Sequence, residues 1–468
     1  MKWYPFPPSV LPLGGTPDMF VRTEDTRALI FVMSNKIDDT LCYSIGSAYL
    51  SGLPVVVAGY DMPYHGYLSK FDFLEKAIEN LKLKQNEVII VMDSDTIFTG
   101  MDLNPLLDRF VEQSAATPEE LDALAVRQGR AMAPFIVSGE IACFAPYVFN
   151  NLSECRPGFQ VVYNKVRKYA AAHPEHNIPL TFDLSPQHHL NSGVVISRVW
   201  AYREFLQKAM NLTKTIKPRT KDKNIWACDQ SVYIELYIDL ITLEVEKDVF
   251  SMPIHLRQAF RSTYGIRAGL MGLDYVNVLA FSGLEAVLFS SQMHNEHWAK
   301  YLPLNRLKYS HTQDMTNIVS ETRFVNDLYW RTYAAHGKKV YTNRAMPKWV
   351  GIKTNRLNVT LAPPLFALRP RPIDVVSNEV RRTFPIIFHA PGVKPGFSKV
   401  SLLERGAISA QWLVPMVYDS KEKRHGMEHL ASAPLFLSTN SSIIRYSYSA
   451  KCGFPYEETI ANIKKTLD

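Results

Sequence analysis

The chain has 468 residues, 47% of them hydrophobic, so it can bury a large core and supply material for two or three domains. Its 52 basic and 45 acidic residues leave a formal net charge of +7, a modest excess that gives no reason to expect a nucleic-acid partner. No run of about 18 apolar residues occurs, so the sequence predicts no membrane span.

The first ninety residues predict alternating strands and helices. Residues 27–34 form an apolar run typical of a buried strand, residues 38–50 predict a helix, and residues 54–58 predict a second strand. Apolar residues then recur at helical spacing and predict an amphipathic helix, at Leu68, Phe71, Leu74, Ile78 and Leu81. This order predicts parallel strands joined by helices.

The next predicted strand, 88–93, ends in two carboxylates one residue apart. Asp93 and Asp95 flank Ser94, and carboxylates this close repel each other unless a proton or a cation neutralises them. Oxygen ligands suit Mg²⁺ or Mn²⁺, and open α/β sheets bind ligands at the carboxyl ends of their strands. The segment therefore predicts a metal and phosphate site, with simple capping of the turn as the structural alternative.

Further elements follow along the chain. Thr117 has the features of a helix N-cap and predicts a helix that runs towards Arg127. Strands are predicted at residues 133–137 and 193–197, and an amphipathic helix at 199–210. Beyond the proline-rich stretch 362–372, short pieces such as 442–449 resemble strands, and a last helix is predicted near 457–467.

These elements predict an α/β fold with a mixed sheet flanked by helices and a smaller C-terminal α+β extension. Four regions are expected: an N-terminal extension, a nucleotide-sugar-binding domain, an insertion or linker, and a C-terminal segment that completes the metal site and packs on the domain. Their bounds are 1–26, 27–300, 301–380 and 381–468.

Cysteines and sequons give limited information on the compartment. Cys143 and Cys155 flank a turn-rich loop and would form a disulfide in an oxidising compartment, whereas two buried free thiols fit equally well. Prolines interrupt the start of the chain where a signal peptide needs a continuous apolar segment. The expected location is therefore the cytoplasm, or the lumen of the secretory pathway if a targeting segment is missing. Four sequons favour secretion slightly, at Asn151, Asn211, Asn358 and Asn440.

Four more segments acquire meaning when they are read with the acidic pair. They are SGE at 138–140, HHLNSGVVIS at 188–197, ACDQ at 227–230 and FPIIFHAPGVKP at 384–395. In this order they resemble GT-A glycosyltransferases, most closely the glycosyltransferase domain of procollagen lysyl hydroxylases and related trypanosomatid expression-site-associated proteins. The resemblance covers roughly residues 27–300 and 384–395.

This resemblance implies a GT-A-like, Rossmann-type sheet and a metal-dependent hexosyltransferase. The donor would be UDP-glucose or UDP-galactose, the acceptor a hydroxyl group of a protein or glycan, and the anomeric configuration would be retained. The required metal would be Mn²⁺ or Mg²⁺. It would be bound by Asp93, Asp95 and a late histidine, with Ser94 beside the donor diphosphate.

The resemblance also implies roles for other matching residues. Val32 and Ser34, at the end of the first strand, would lie beside the uridine. Asn191 and Gly193 belong to a leucine-asparagine-serine-glycine turn that would line the sugar pocket. The acidic-glutamine pair Asp229 and Gln230 would contact the donor sugar and acceptor, and Asp229 and Asn191 would be the residues nearest to the reaction. Cys228 departs from the pattern, because an aspartate is usual there.

The third metal ligand has two candidates. His389 follows an apolar run and precedes Gly392 and Lys394, which would approach the diphosphate. His294 lies at a more usual distance from Asp229 along the chain. We favour His389 because its local pattern is richer, and a purely structural histidine is the remaining alternative.

Two other residues receive weaker predictions. Lys70 could approach the phosphates, although a solvated helical lysine is the more ordinary interpretation. Glu140 is expected in a loop that faces the site, where it would hydrogen-bond the donor or acceptor.

Two rival functions remain open from the sequence. A haloacid-dehalogenase-type phosphatase also has an apolar strand before a D-x-D motif, with Asp93 as nucleophile and Asp95 as general acid. That motif needs threonine where Ile97 stands, and it usually lies on the first strand of its fold. The other rival is a GT-A domain that binds without catalysis, for which Cys228 could be a sign.

Overall fold

The computed structural model describes a set of segments that spans most of the predicted α/β region. They are residues 28–50, 55–98, 106–107, 110–111, 114–121, 132–140, 143, 155–176, 178, 180–184, 189–215, 228–275, 279–282, 387–389, 428, 430–431 and 433–452. Within these segments, no helix combines the length and the apolar character needed to cross a bilayer.

The fold is α/β, with a mixed eight-stranded sheet flanked by helices. Its strands are β1 (Ala28–Met33), β2 (Val55–Ala58), β3 (Val88–Asp93), β5 (Phe135–Glu140), β6 (His189–Arg198), β7 (Met271–Asp274), β10 (Pro434–Ser438) and β11 (Ile443–Ser447). Their order across the sheet is β11-β10-β2-β1-β3-β6-β5-β7. Strands β6 and β11 run antiparallel to their neighbours, and the other neighbouring pairs are parallel.

The helices lie between these strands in the chain. They are α1 (Asp39–Leu50), α2 (Ser69–Asn80), α3 (Cys155–Ala172), α4 (Thr181–Leu184), α5 (Val199–Thr215), α6 (Asp229–Glu246), α7 (Ile254–Ala259) and α8 (Tyr448–Lys451), with short 3-10 turns at Pro174–His176 and Val249–Ser251. Helix α2 buries Phe71, Leu74 and Ile78, as the helical spacing predicts.

The central strands are apolar because both faces of the sheet are covered. Every residue of β1 and β2 is buried, and β3 is buried up to Met92. Such continuous apolar runs are typical of parallel strands enclosed between helices. The predicted strands and helices up to residue 93 are therefore confirmed, with bounds that differ by a residue or two.

The later elements differ in extent from the prediction. Strand β5 begins two residues late and continues through Glu140, and β6 begins at His189 rather than at Gly193. At Thr117 the structure has a turn, and of the predicted helix only the start, up to Leu121, is described. The linker at 362–372 and the helix near 457–467 lie outside the described residues.

The described part of the C-terminal segment adds two strands to the main sheet. Strand β10 pairs in parallel with β2, and β11 forms a hairpin with β10. A disulfide joins Cys42 in α1 to Cys452, just after α8. Residues 433–452 thus contribute to the same core as the first strands, which are about 400 residues earlier in the chain.

A second, three-stranded sheet lies at the end of β3. It contains β4 (Thr96–Phe98), β8 (Ala280–Ser282) and β9 (Ile387–His389), in the order β4-β9-β8. Strand β4 begins two residues after β3 ends, and it pairs antiparallel with β9. This small sheet brings the segment around residue 388 to the acidic pair.

Candidate functional site

Polar side chains from four elements meet at the carboxyl edge of the main sheet. Strand β3 ends there with Asp93, and β5 ends there with Glu140. Strand β6 runs in the opposite direction, so its first residues, including Asn191, lie at the same edge. Helix α6 begins with Asp229, which is buried against them.

His389 reaches this edge through the small sheet. In the β4-β9 pairing, His389 is the partner of Thr96, the residue that follows Asp95. The imidazole Nε2 then lies 3.3 Å from Asp95 Oδ1. Of the two candidate histidines, the structure brings His389 to the acidic pair, whereas His294 lies outside the described residues.

Gly193 makes room for the imidazole ring. A Cβ atom added at Gly193 would lie 2.1 Å from His389 Cε1 and 2.6 Å from each ring nitrogen. Real Cβ contacts essentially never fall below 3.0 Å. Residue 193 is therefore next to the predicted metal ligand rather than in open contact with a sugar, and any side chain there would displace the ring.

The atoms of Asp93, Asp95 and His389 are suited to a divalent cation. One ligand atom from each residue lies within 4.8 Å of the others. Asp95 Oδ1 and both ring nitrogens of His389 are buried and make no hydrogen bond to any described residue. Buried polar atoms normally have partners, so these unsatisfied atoms fit a group that is supplied from outside. Two carboxylates and an imidazole suit Mn²⁺ or Mg²⁺.

The charges of this cluster influence one another. Burial raises the pKa of Asp93 to about 6, although Lys70 opposes the shift. Burial also acts to raise the pKa of Asp95, but the nearby His389 imidazolium outweighs it and holds that pKa below its usual value. Burial lowers the pKa of His389, and the Asp95 carboxylate more than offsets this, so the net shift is upward. Without a cation, proton sharing therefore neutralises part of the site.

Lys70 supplies a positive charge inside the site, so the expectation of a solvated lysine was wrong. Its Nζ atom lies 2.7 Å from Asp93 Oδ1 and 3.2 Å from Asp229 Oδ2. Burial disfavours the ammonium, but Asp229 and Asp93 hold the Lys70 pKa well above its ordinary value. The only sequence signal was a lysine in the first turn of α2, and this does not reveal partners from β3 and α6.

Glu140 organises the residues predicted to contact the sugar. It lies at the end of β5, not in a loop, and is buried. Its two carboxylate oxygens accept hydrogen bonds from Asn191 Nδ2 at 2.8 Å and Gln230 Nε2 at 2.9 Å. Asn191 Oδ1 accepts the Gly193 backbone N–H at 2.9 Å. Residues 190–193 are thus part of β6 rather than a turn, and Glu140 fixes their polar side chains.

Ser192 links this network to Asp229. Its hydroxyl donates to Asp229 Oδ2 at 3.3 Å, and its backbone N–H donates to Gln230 Oε1 at 3.3 Å. Cys228 precedes Asp229 as the residue before α6, and burial raises the pKa of its thiol. The first residues of α6 and of β6 therefore form one polar surface.

Three predicted residues at the strand ends behave differently. Val32 is fully buried in β1 and can shape the site only by packing. Ser34 lies just past the strand end and donates its hydroxyl to the Lys36 carbonyl oxygen at 2.7 Å. Ser94 lies in the turn between β3 and β4. Gly392 and Lys394 fall outside the described residues.

Two tyrosines that the sequence did not single out border the site. Tyr64 and Tyr67 are 48% and 42% exposed, in the segment between β2 and α2. Lys70 Nζ lies 5.3 Å from the centre of the Tyr67 ring, within the range of a cation–π contact. Aromatic surface is therefore accessible next to the acidic pair.

Comparison with known proteins adds no assignment: no protein-family model matches this sequence, and no curated protein matches it.

Proposed function

We propose that this protein is a metal-dependent glycosyltransferase of the GT-A type, which transfers a hexose from a UDP-sugar to a hydroxyl group of a protein or glycan. The observation that carries the proposal is the convergence of Asp93, Asp95 and His389 at the carboxyl edge of the sheet, with buried atoms that lack partners. A mixed α/β sheet with ligand groups at this edge also agrees with the proposal.

The metal end of the site would receive the donor diphosphate. Asp93, Asp95 and His389 would hold Mn²⁺ or Mg²⁺, which acts as a Lewis acid and neutralises charge on a departing diphosphate. Lys70 lies close enough to Asp93 to place a second positive charge beside the same phosphates. Ser94 and the end of β1 at Ser34 would border the nucleotide.

The polar surface around Glu140 would hold the hexose. Asn191 and Gln230 are oriented by the two oxygens of Glu140, so their free amide groups have fixed positions. Asp229 is held by Lys70 and Ser192, and it would orient a sugar or acceptor hydroxyl. Hydroxyl-rich ligands need such preset donors and acceptors, because every polar group they bury requires a partner.

Tyr64 and Tyr67 suit the base of the nucleotide. Both expose an aromatic face beside the charged groups, and a flat heteroaromatic ring such as uracil gains stabilisation by stacking on such a face. This arrangement would separate base, phosphates and sugar along one edge of the sheet.

The proposal is tested by measuring release of UDP from UDP-glucose and UDP-galactose with Mn²⁺, Mg²⁺ or EDTA. We expect metal-dependent release from one donor, and its loss in Asp95→Asn. Asp72→Asn, which alters an exposed carboxylate on α2, is the matched control and should behave as the parent protein does.

The same assay separates the rival functions. Hydrolysis of simple phosphate esters without UDP release would favour the phosphatase and contradict the proposal. Binding of UDP without turnover of either donor, in the presence of glycan and peptide acceptors, would favour a non-catalytic binding domain.

A further inference from the structure

Four of the five cysteines form disulfides. Cys42 and Cys452 are bonded with a Cα–Cα distance of 5.6 Å, and Cys143 and Cys155 with one of 5.5 Å. Both separations lie in the range that a disulfide requires. Cys228 is the free cysteine. The sequence predicted the short pairing as one alternative, but gave no sign of the pairing that spans 410 residues.

The long-range disulfide attaches the C-terminal hairpin to the first helix of the fold. Next to it, the Tyr448 hydroxyl donates to the Cys42 carbonyl oxygen at 2.7 Å. Tyr49 in α1 packs edge-on against Tyr448, with ring centres 6.3 Å apart, and its hydroxyl donates to the Pro434 carbonyl oxygen. The bond therefore reinforces a packed contact between buried residues rather than linking two exposed loops.

Such bonds indicate an oxidising compartment. Structural disulfides persist in the secretory pathway and outside the cell, and are rare in the cytosol of most organisms. Each pair of thiols would lose two electrons and two protons to a protein disulfide of that compartment by thiol–disulfide exchange. The same compartment contains the machinery that modifies N-x-S/T sequons.

One sequon is exposed at a turn of the same hairpin. Asn440 lies between β10 and β11, is exposed, and is followed by Ser441 and Ser442. The turn is closed by the Thr439 backbone N–H, which donates to the Ser442 carbonyl oxygen at 2.9 Å. Asn211 is also exposed but lies within α5, whereas acceptor asparagines are typical of surface loops.

We propose that this chain folds in the secretory pathway, with Cys42 and Cys452 joined, and that Asn440 carries an N-linked glycan. In that reaction the Asn440 amide nitrogen forms a bond to C1 of a lipid-diphosphate-linked oligosaccharide. The bond from C1 to the diphosphate oxygen breaks, the lipid diphosphate leaves, and the amide nitrogen loses one proton. This inference does not depend on the proposed transfer activity.

The test uses the full chain, made in insect cells with an added secretion signal and also isolated from its native cells. N-glycosidase treatment in ¹⁸O-labelled water converts a glycosylated asparagine to a labelled aspartate, which peptide mass spectrometry locates. We expect the label at residue 440 in both preparations, its loss in Asn440→Gln and Ser442→Ala, and its retention at residue 440 in the control Asn211→Gln. An unlabelled residue 440 in the secreted parent protein, or in the native protein, would overturn the glycosylation site.

The disulfide is tested on the same material by peptide mapping without reduction. We expect one cross-linked peptide that contains Cys42 and Cys452, and a single alkylated cysteine, Cys228. Alkylation of Cys42 and Cys452 in the unreduced native protein would overturn the assignment of an oxidising compartment.

Discussion

Gly193 gives the sharpest test of how the metal ligands are positioned. Replacing it by alanine puts a Cβ atom 2.1 Å from His389 Cε1, whereas ordinary van der Waals contact begins at 3.4 Å. The ring must therefore recede by about 1 Å, or β6 must shift. Metal sites tolerate ligand displacements of only about 0.2 Å, so His389 could no longer complete the site.

Changes that disturb the support of a metal ligand typically cost about 10- to 100-fold in affinity. We expect Gly193→Ala to weaken Mn²⁺ binding by that factor, measured by calorimetric titration. Overpacking costs about 1–3 kcal/mol, so the melting temperature should fall by several degrees while the circular dichroism spectrum stays the same.

A double-mutant cycle with His389→Ala isolates the cause. Alanine at position 389 removes the ring that the new methyl group would strike. Gly193→Ala should then have little further effect on Mn²⁺ affinity. Unchanged Mn²⁺ affinity in the single variant, or an equal loss in both backgrounds, would refute the proposed link between Gly193 and His389.

Three further predictions concern the surrounding charges. Lys70→Met leaves the buried carboxylates of Asp93 and Asp229 without their shared partner, so we expect a loss of about 1–3 kcal/mol in urea unfolding without metal, and a larger rescue by Mn²⁺ than in the parent protein; Lys76→Met, on the exposed side of α2, is the control and should leave stability unchanged. Glu140→Gln puts an amide donor opposite Asn191 or Gln230, so UDP-hexose turnover should fall by about 10- to 100-fold while Mn²⁺ affinity persists; an equal loss of both would contradict separate metal and sugar ends. Because burial raises the pKa of Asp93 to about 6 and Asp95 raises the pKa of His389, Mn²⁺ must displace protons from both, so its apparent affinity should fall by more than tenfold per unit as the pH drops below 6, and an affinity that does not change with pH would contradict the assignment.

Local sequence pattern was enough to predict the first half of the main sheet. The apolar runs of β1 and β3 are long, continuous and bounded by polar residues, and the amphipathic spacing of α2 is regular. The acidic pair was predictable for the same reason: Asp93 and Asp95 directly follow a buried strand. His389 was favoured from its apolar run, and strand β9 does contain that run.

The features that the sequence did not reveal depend on distant pairings. Lys70 acquires its buried partners only when β3 and α6 meet, and Glu140 becomes a strand residue because β5 continues alongside β6. Strand β10 pairs with β2, so its position cannot be read from neighbouring residues. The disulfide between Cys42 and Cys452 follows from that pairing, because the hairpin has to reach α1 first.

The most direct test of the central claim is a thermal-shift titration with UDP, with and without Mn²⁺, on the parent protein and on Asp95→Ala. A ligand that binds only the folded state raises the melting temperature, by about 2.7 kcal/mol of added stability at one hundred times its Kd. We predict UDP stabilisation that requires Mn²⁺ and is lost in Asp95→Ala. Stabilisation by UDP that is the same without Mn²⁺, or that persists in Asp95→Ala, would contradict a metal-dependent donor site at Asp93, Asp95 and His389.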